Sequence, residues 1–143
     1  MPHQIIYSSE SATPMQADEL EELLEHARRH NAANGITGAL IYADGVFLQI
    51  LEGEKHTVQA LMEKIAKDFR HETVTVLKQA TIPSAAFSDW EMAYVSATPQ
   101  QIAEWAGLGG ATATRDVVTG MGLEPRMATQ VAEKILAVLK SKP

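Results

Sequence analysis

The sequence predicts an α+β domain whose elements run β-α-β-β-α-β-β. Three observations point there. Two amphipathic segments, near residues 14–31 and 58–69, carry apolar residues at helical spacing. Short runs rich in Ile, Val, Leu and aromatic residues flank them, as strands require. Two of those runs, 36–42 and 46–52, are joined across Ala43-Asp44-Gly45, which signals a hairpin.

The first strand is short and centres on Ile5, Ile6 and Tyr7. Thr13 can then cap a helix, with Pro14 at its first position and Gln16 completing a capping box. That helix is expected to end at about residue 31. Leu20, Leu23, Leu24 and Ala27 form its apolar stripe, and its acidic residues precede Arg28 and Arg29, as the helix dipole favours. Asn34-Gly35 supplies a left-handed stop. After the hairpin, Val58, Leu61, Met62, Ile65 and Phe69 mark a second helix ending near Arg70-His71. Residues 73–80 form a fourth strand and 90–95 a fifth. This is a ferredoxin-like order with one strand added, so both helices belong on one face of the sheet. The hairpin strands are apolar on both parities, which asks for cover on the second face as well. The tail offers helices at 99–106 and 124–140, the latter with Met127, Val131, Ile135, Val138 and Leu139 on one side. They suit either a cap on the sheet or a subunit contact.

The totals limit the function. A chain of 143 residues fits one compact domain, and 45% hydrophobic with 21% charged residues is globular composition. Twelve basic against eighteen acidic residues give a net charge of −6, which argues against a nucleic-acid or anionic-membrane binder. No cysteine is present, so disulfides, thiolate metal sites and cysteine catalysis are excluded. No signal peptide or membrane-length apolar run is visible, and a soluble, cytoplasmic protein is expected.

Several polar residues need explaining. Gln49 interrupts the apolar run "VFLQILEG", and in a ferredoxin-like sheet it falls beside Tyr7. The pair could be a structural hydrogen bond or could face a polar ligand between the helices. His26 and His30 stand one helical turn apart, with Glu22 a turn earlier; the spacing suits a metal, yet an acidic helix surface accounts for it equally and no further ligand is evident. Asp68, Arg70 and His71 cluster after the second helix, either as helix-end charges or as an anchor for a ribose or phosphate. The "GLGG" stretch does not follow a strand with phosphate-loop spacing, and Ser8 and Ser9 lack a base. A small acylphosphatase-like enzyme shares the element order but needs an arginine cradle after the first strand, and "SSESATP" has none.

Together, "IIYSS", "HNAANGITGALIYADGVFLQILEG", "KDFRH" and "FSDWEM" occur in the order and spacing of the BLUF domain, the flavin-based blue-light sensor, which residues 1–95 resemble. The resemblance implies an FAD held between the two helices. Tyr7 matches the photoactive tyrosine, Gln49 the switching glutamine and Asn31 the asparagine on the flavin's polar edge. His30, Asp68, Arg70 and His71 match positions near the cofactor, and Trp90 and Met92 match the pair on the last strand that packs against the glutamine as a signal outlet. It further implies that light drives an electron and then a proton from Tyr7 through Gln49, whose amide is left rotated or tautomerised. No enzymatic output module is recognisable, so a light sensor is expected, with 96–143 as a helical cap or oligomerisation extension. Short members tend to form homo-oligomers and to signal through a separate protein. One departure is that "SAAF" stands where members often carry a basic residue before the Phe, which puts a salt bridge there in doubt. The alternative is a non-photic flavin- or metabolite-binding module of the same fold.

Overall fold

The computed structural model of the chain describes residues 1–11, 15–43, 45–67, 71–107 and 124–141. Its elements are β1 (His3–Ser11), α1 (Ala17–Asn34), β2 (Thr37–Ala43), β3 (Val46–Gly53), α2 (Lys55–Lys67), β4 (His71–Thr81), β5 (Ala93–Tyr94), α3 (Pro99–Ala106) and α4 (Pro125–Ser141). The sheet order is β4-β1-β3-β2-β5. The first four strands pair antiparallel, and β5 joins the β2 edge in parallel. This is the expected ferredoxin-like sheet with one added strand.

The sheet separates two apolar layers. On one face, Leu24 of α1 and Val58 and Met62 of α2 pack with Ile5, Tyr7, Leu40, Phe47 and Leu51. On the other, Ile102, Ala103 and Ala106 of α3 and Ala128, Val131, Ile135 and Leu139 of α4 cover Ile6, Ile41, Leu48 and Ile50. Strands buried on both faces lose the polar alternation of a one-sided sheet, which is why the hairpin reads as continuously apolar. The apolar side of α4 therefore faces the sheet. Lys78 Nζ on β4 also donates to Thr129 Oγ1 of α4 at 2.8 Å. Among the described residues, Met1 and Val76 are the large apolar side chains left exposed, and no helix is long and apolar enough to cross a membrane.

Several boundaries differ from expectation. Helix α1 starts at Ala17 with Gln16 as its N-cap, and the Glu19 carboxylate accepts the Gln16 backbone N–H. Thr13 and Pro14 lie outside the described residues, and Gln16 serves one turn earlier than the sequence signal placed it. The helix runs to Asn34, where Gly35 takes the left-handed conformation (φ 66°) that only glycine adopts without strain. Asp68, Phe69 and Arg70 also lie outside the described residues. His71 does not end α2: its backbone opens β4, opposite Ser11 of β1.

The fifth strand shrinks to Ala93–Tyr94, because the chain bends at residues 91–92 before it pairs. Flanking hydrogen bonds extend the connection, from Gly38 N–H to the Trp90 carbonyl at 3.0 Å and from Val95 N–H to the Leu40 carbonyl at 3.1 Å. A Cβ on Gly38 would overlap the Ile50 carbonyl oxygen, so this crossing of β2 needs glycine.

The loop leading to β5 is fixed by a buried carboxylate. Glu52 is fully buried and accepts from Gln4 Nε2 (3.1 Å), Thr37 Oγ1 (3.1 Å), Ala86 N–H (2.9 Å) and Phe87 N–H (2.8 Å). The carboxylate is thus met by four neutral donors, two of them main-chain amides.

Candidate functional site

Strands β1 and β3 place Tyr7 directly opposite Gln49, and Leu40 of β2 lies on its other side. Directly opposed residues point to the same face, so the phenol and the amide meet beneath α1 and α2. Tyr7 is fully buried, and its hydroxyl donates to Gln49 Oε1. Gln49 Nε2 donates in turn to Met92 Sδ at 3.5 Å. Burial pushes the Tyr7 phenol well above the usual tyrosine range, which keeps it neutral and able to donate.

Above this row lies a cleft of ≈ 190 Å³ between the two helices. Leu23, His26, Ala27, His30 and Asn31 line it from α1, and Leu61, Lys64 and Ile65 from α2. The α1 set follows i, i+3, i+4, i+7, i+8, a single helical face. Tyr7, Leu40, Phe47 and Gln49 form the floor. The cleft is smaller than the roughly 300–1,000 Å³ of common small-molecule pockets. It has room for a flat ring system rather than a whole dinucleotide.

Asn31 is buried and does two jobs at the end of α1. Its backbone carbonyl accepts from Gly35 and Ile36, and its Nδ2 donates to the Glu91 carbonyl at 2.6 Å. One turn earlier, Arg28 Nε donates to the Met92 carbonyl at 2.9 Å. His30 lines the cleft, and its Nδ1 is buried with no hydrogen-bond partner among the described residues. His26 and His30 both line the cleft, and among the described residues no group of three metal-ligating side chains comes together.

A family model described as sensors of blue-light using FAD matches residues 3–93. The chain belongs to the BLUF family. It is 34% identical over 105 residues to the photoactivated adenylate cyclase subunit beta of Euglena gracilis, covering 73% of this chain and 12% of that one. The alpha subunit matches at 34% over 104 residues, with 73% and 10% covered. The chain therefore spans only about a tenth of the curated relatives' length. Among solved structures, BlsA in its photo-activated state superposes with a TM-score of 0.79 at 30% identity, over 95% of both chains. BlrB, a BLUF protein in its dark state, shares the fold with a TM-score of 0.76 over 96% of both chains at 23% identity. Residues 3–93 are thus a blue-light-sensing domain of the BLUF family, with FAD as its cofactor.

The cleft fits the ring system of that cofactor on its own evidence. Leu23, Ala27, Leu40, Phe47, Leu61 and Ile65 offer apolar contact to ring faces, while Gln49 and Asn31 offer polar contact to a ring edge. Lys64 provides a cation at the cleft wall. Of the residues expected in this BLUF site, the structure brings together Tyr7, His30, Asn31, Gln49 and Met92; Asp68, Arg70 and the side chain of His71 lie outside what is described.

Trp90 and Met92 require a correction. Alternation along a strand would put them on one face, but they lie on opposite faces. Met92 belongs to the layer of Tyr7 and α1, whereas Trp90 packs on the second face against Phe87, with ring centroids 6.4 Å apart. The bend at 91–92 breaks the period of two on which the expectation rested. Arg28 and Glu52 are the residues that sequence reading missed. Arg28 read as one of two helix-end cations and Glu52 as a strand terminus; neither main-chain partner leaves a trace in side-chain pattern.

Proposed function

We propose that Tyr7 and Gln49 are the photoactive pair of this BLUF domain and that Met92 receives the switch. The observation carrying this reading is the continuous row from the Tyr7 hydroxyl through the Gln49 amide to the Met92 sulfur. When bound, FAD supplies a blue-light-absorbing, electron-accepting ring at this row. Tyr7 holds its proton on Oη in the dark. A phenol that has lost an electron is a far stronger acid, and Gln49 Oε1 is the acceptor already bonded to it. The Gln49 amide carries both an acceptor and donors, so it can pass a proton and then settle rotated or tautomerised.

Rotation has a direct consequence at Met92. The turned amide presents Oε1 where Nε2 had donated, so two acceptors face each other and the sulfur loses its partner. Such an exchange is worth on the order of 1 kcal/mol. That biases a two-state segment about fivefold without unfolding the domain.

The proposal extends to the chain as a whole. Residues 1–95 act as the sensor and 96–143 as its helical cap, consistent with the family match ending at residue 93. The chain senses and does not catalyse, and it passes the signal to a separate protein from within a homo-oligomer. A cytoplasmic location suits a cysteine-free, acidic chain.

Absorption spectra before and after blue light test the reading. Flavin bands with a small, reversible red shift are expected from wild type, and bands without the shift from Tyr7→Phe. Flavin bands in wild type that light leaves unchanged would leave a non-photic binding module instead.

A further inference from the structure

Met92 is held at two points. Inside the domain its sulfur accepts from Gln49; outside, its carbonyl accepts from Arg28 Nε at 2.9 Å. The preceding carbonyl, Glu91, accepts from Asn31 Nδ2 at 2.6 Å. Arg28 and Asn31 stand three residues apart, on one face of α1, so one helix grips two consecutive carbonyls at the bend before β5. No carboxylate among the described residues pairs with the Arg28 guanidinium. Its directed bond goes to the Met92 main chain.

We infer that Arg28 is a positioning residue for the light response: it latches the Met92 main chain so that the sulfur seats on Gln49 in the dark. This rests on Gln49 being the light-operated amide. Methionine has three rotatable side-chain bonds and adapts easily. With a loose main chain, its sulfur could follow or leave the amide at little cost, and the switch would end in side-chain motion. With the carbonyl latched, seating the sulfur fixes the bend, and unseating it loosens the segment that pairs with β2. The reporters are the two main-chain amides flanking β5: Gly38 N–H on the Trp90 carbonyl and Val95 N–H on the Leu40 carbonyl.

The experiment is residue-resolved hydrogen exchange on flavin-loaded protein, in darkness and under blue light, for wild type, Arg28→Ala and Arg28→Lys. Arg28 is exposed, so the fold is expected to survive both changes. In wild type, light should speed exchange at Gly38 and Val95. Arg28→Ala should keep the full flavin red shift yet lose that light-dark difference, its dark exchange already as fast as the illuminated wild type. Arg28→Lys, which keeps a donor at the position, should restore part of the difference. If Arg28→Ala only lowers thermal stability and keeps the wild-type difference, Arg28 merely braces the fold and the inference fails. A wild type without any red shift would instead overturn the Tyr7–Gln49 reading, so the two failures are distinguishable.

Discussion

At Gln49 a single primary amide meets a phenol on one side, a thioether on the other and a ligand cleft above. An apolar residue there would pack well in β3 but would leave the Tyr7 hydroxyl buried without a partner, at a cost of about 1–3 kcal/mol. Gln49→Leu should therefore lower stability by that order in denaturant titration, retain flavin and lose the red shift. Tyr7 also sets a pH dependence. Its pKa is raised in the folded state by burial, so the stability linked to its proton is complete below the unfolded value of about 10 and is lost as pH rises beyond it. Urea midpoints should be flat with respect to Tyr7 at neutral pH and fall above about pH 10. Tyr7→Phe should soften that alkaline fall. Gln49 was legible in the sequence because a polar residue in a buried strand is conspicuous. Arg28 was not, since an arginine late in a helix is ordinary until its carbonyl partner is seen.

Among the elements, the bend and short strand β5 depend on contacts distant in sequence. Glu52 holds the approach to it through the Ala86 and Phe87 amides. Glu52→Ala leaves four donors without their acceptor and should cost about 3 kcal/mol or more, by thermal or chemical unfolding. Glu52→Gln keeps the shape and part of the accepting capacity and should cost less. Gly38→Ala would drive a methyl into the Ile50 carbonyl and should destabilise by about 1–3 kcal/mol. The long elements were readable because their apolar period extends over many residues: α1, α2, β2 and β3 lie close to expectation. The ends of α1 and α2 and the length of β5 were not. They are decided by caps, a bend and main-chain partners that composition does not encode, and the opposed placement of Trp90 and Met92 follows from that same bend.

For the whole molecule, the two-layered core makes the tail part of the fold. Ile135 of α4 is buried on the second face, far along the chain from the Tyr7 row. Ile135→Ala should cost about 2–5 kcal/mol of stability while leaving the flavin red shift in place. The sequence left open whether the α4 stripe covers the sheet or another subunit; helix packing against residues far upstream decides for the sheet. The central claim is that Gln49, bonded to Tyr7, operates the light response. It is tested most directly by the flavin absorption spectrum of wild type and Gln49→Leu, each recorded in darkness, after blue light and after dark recovery. The account predicts a small, reversible red shift in wild type and none in flavin-loaded Gln49→Leu. A wild-type shift in the variant would contradict it.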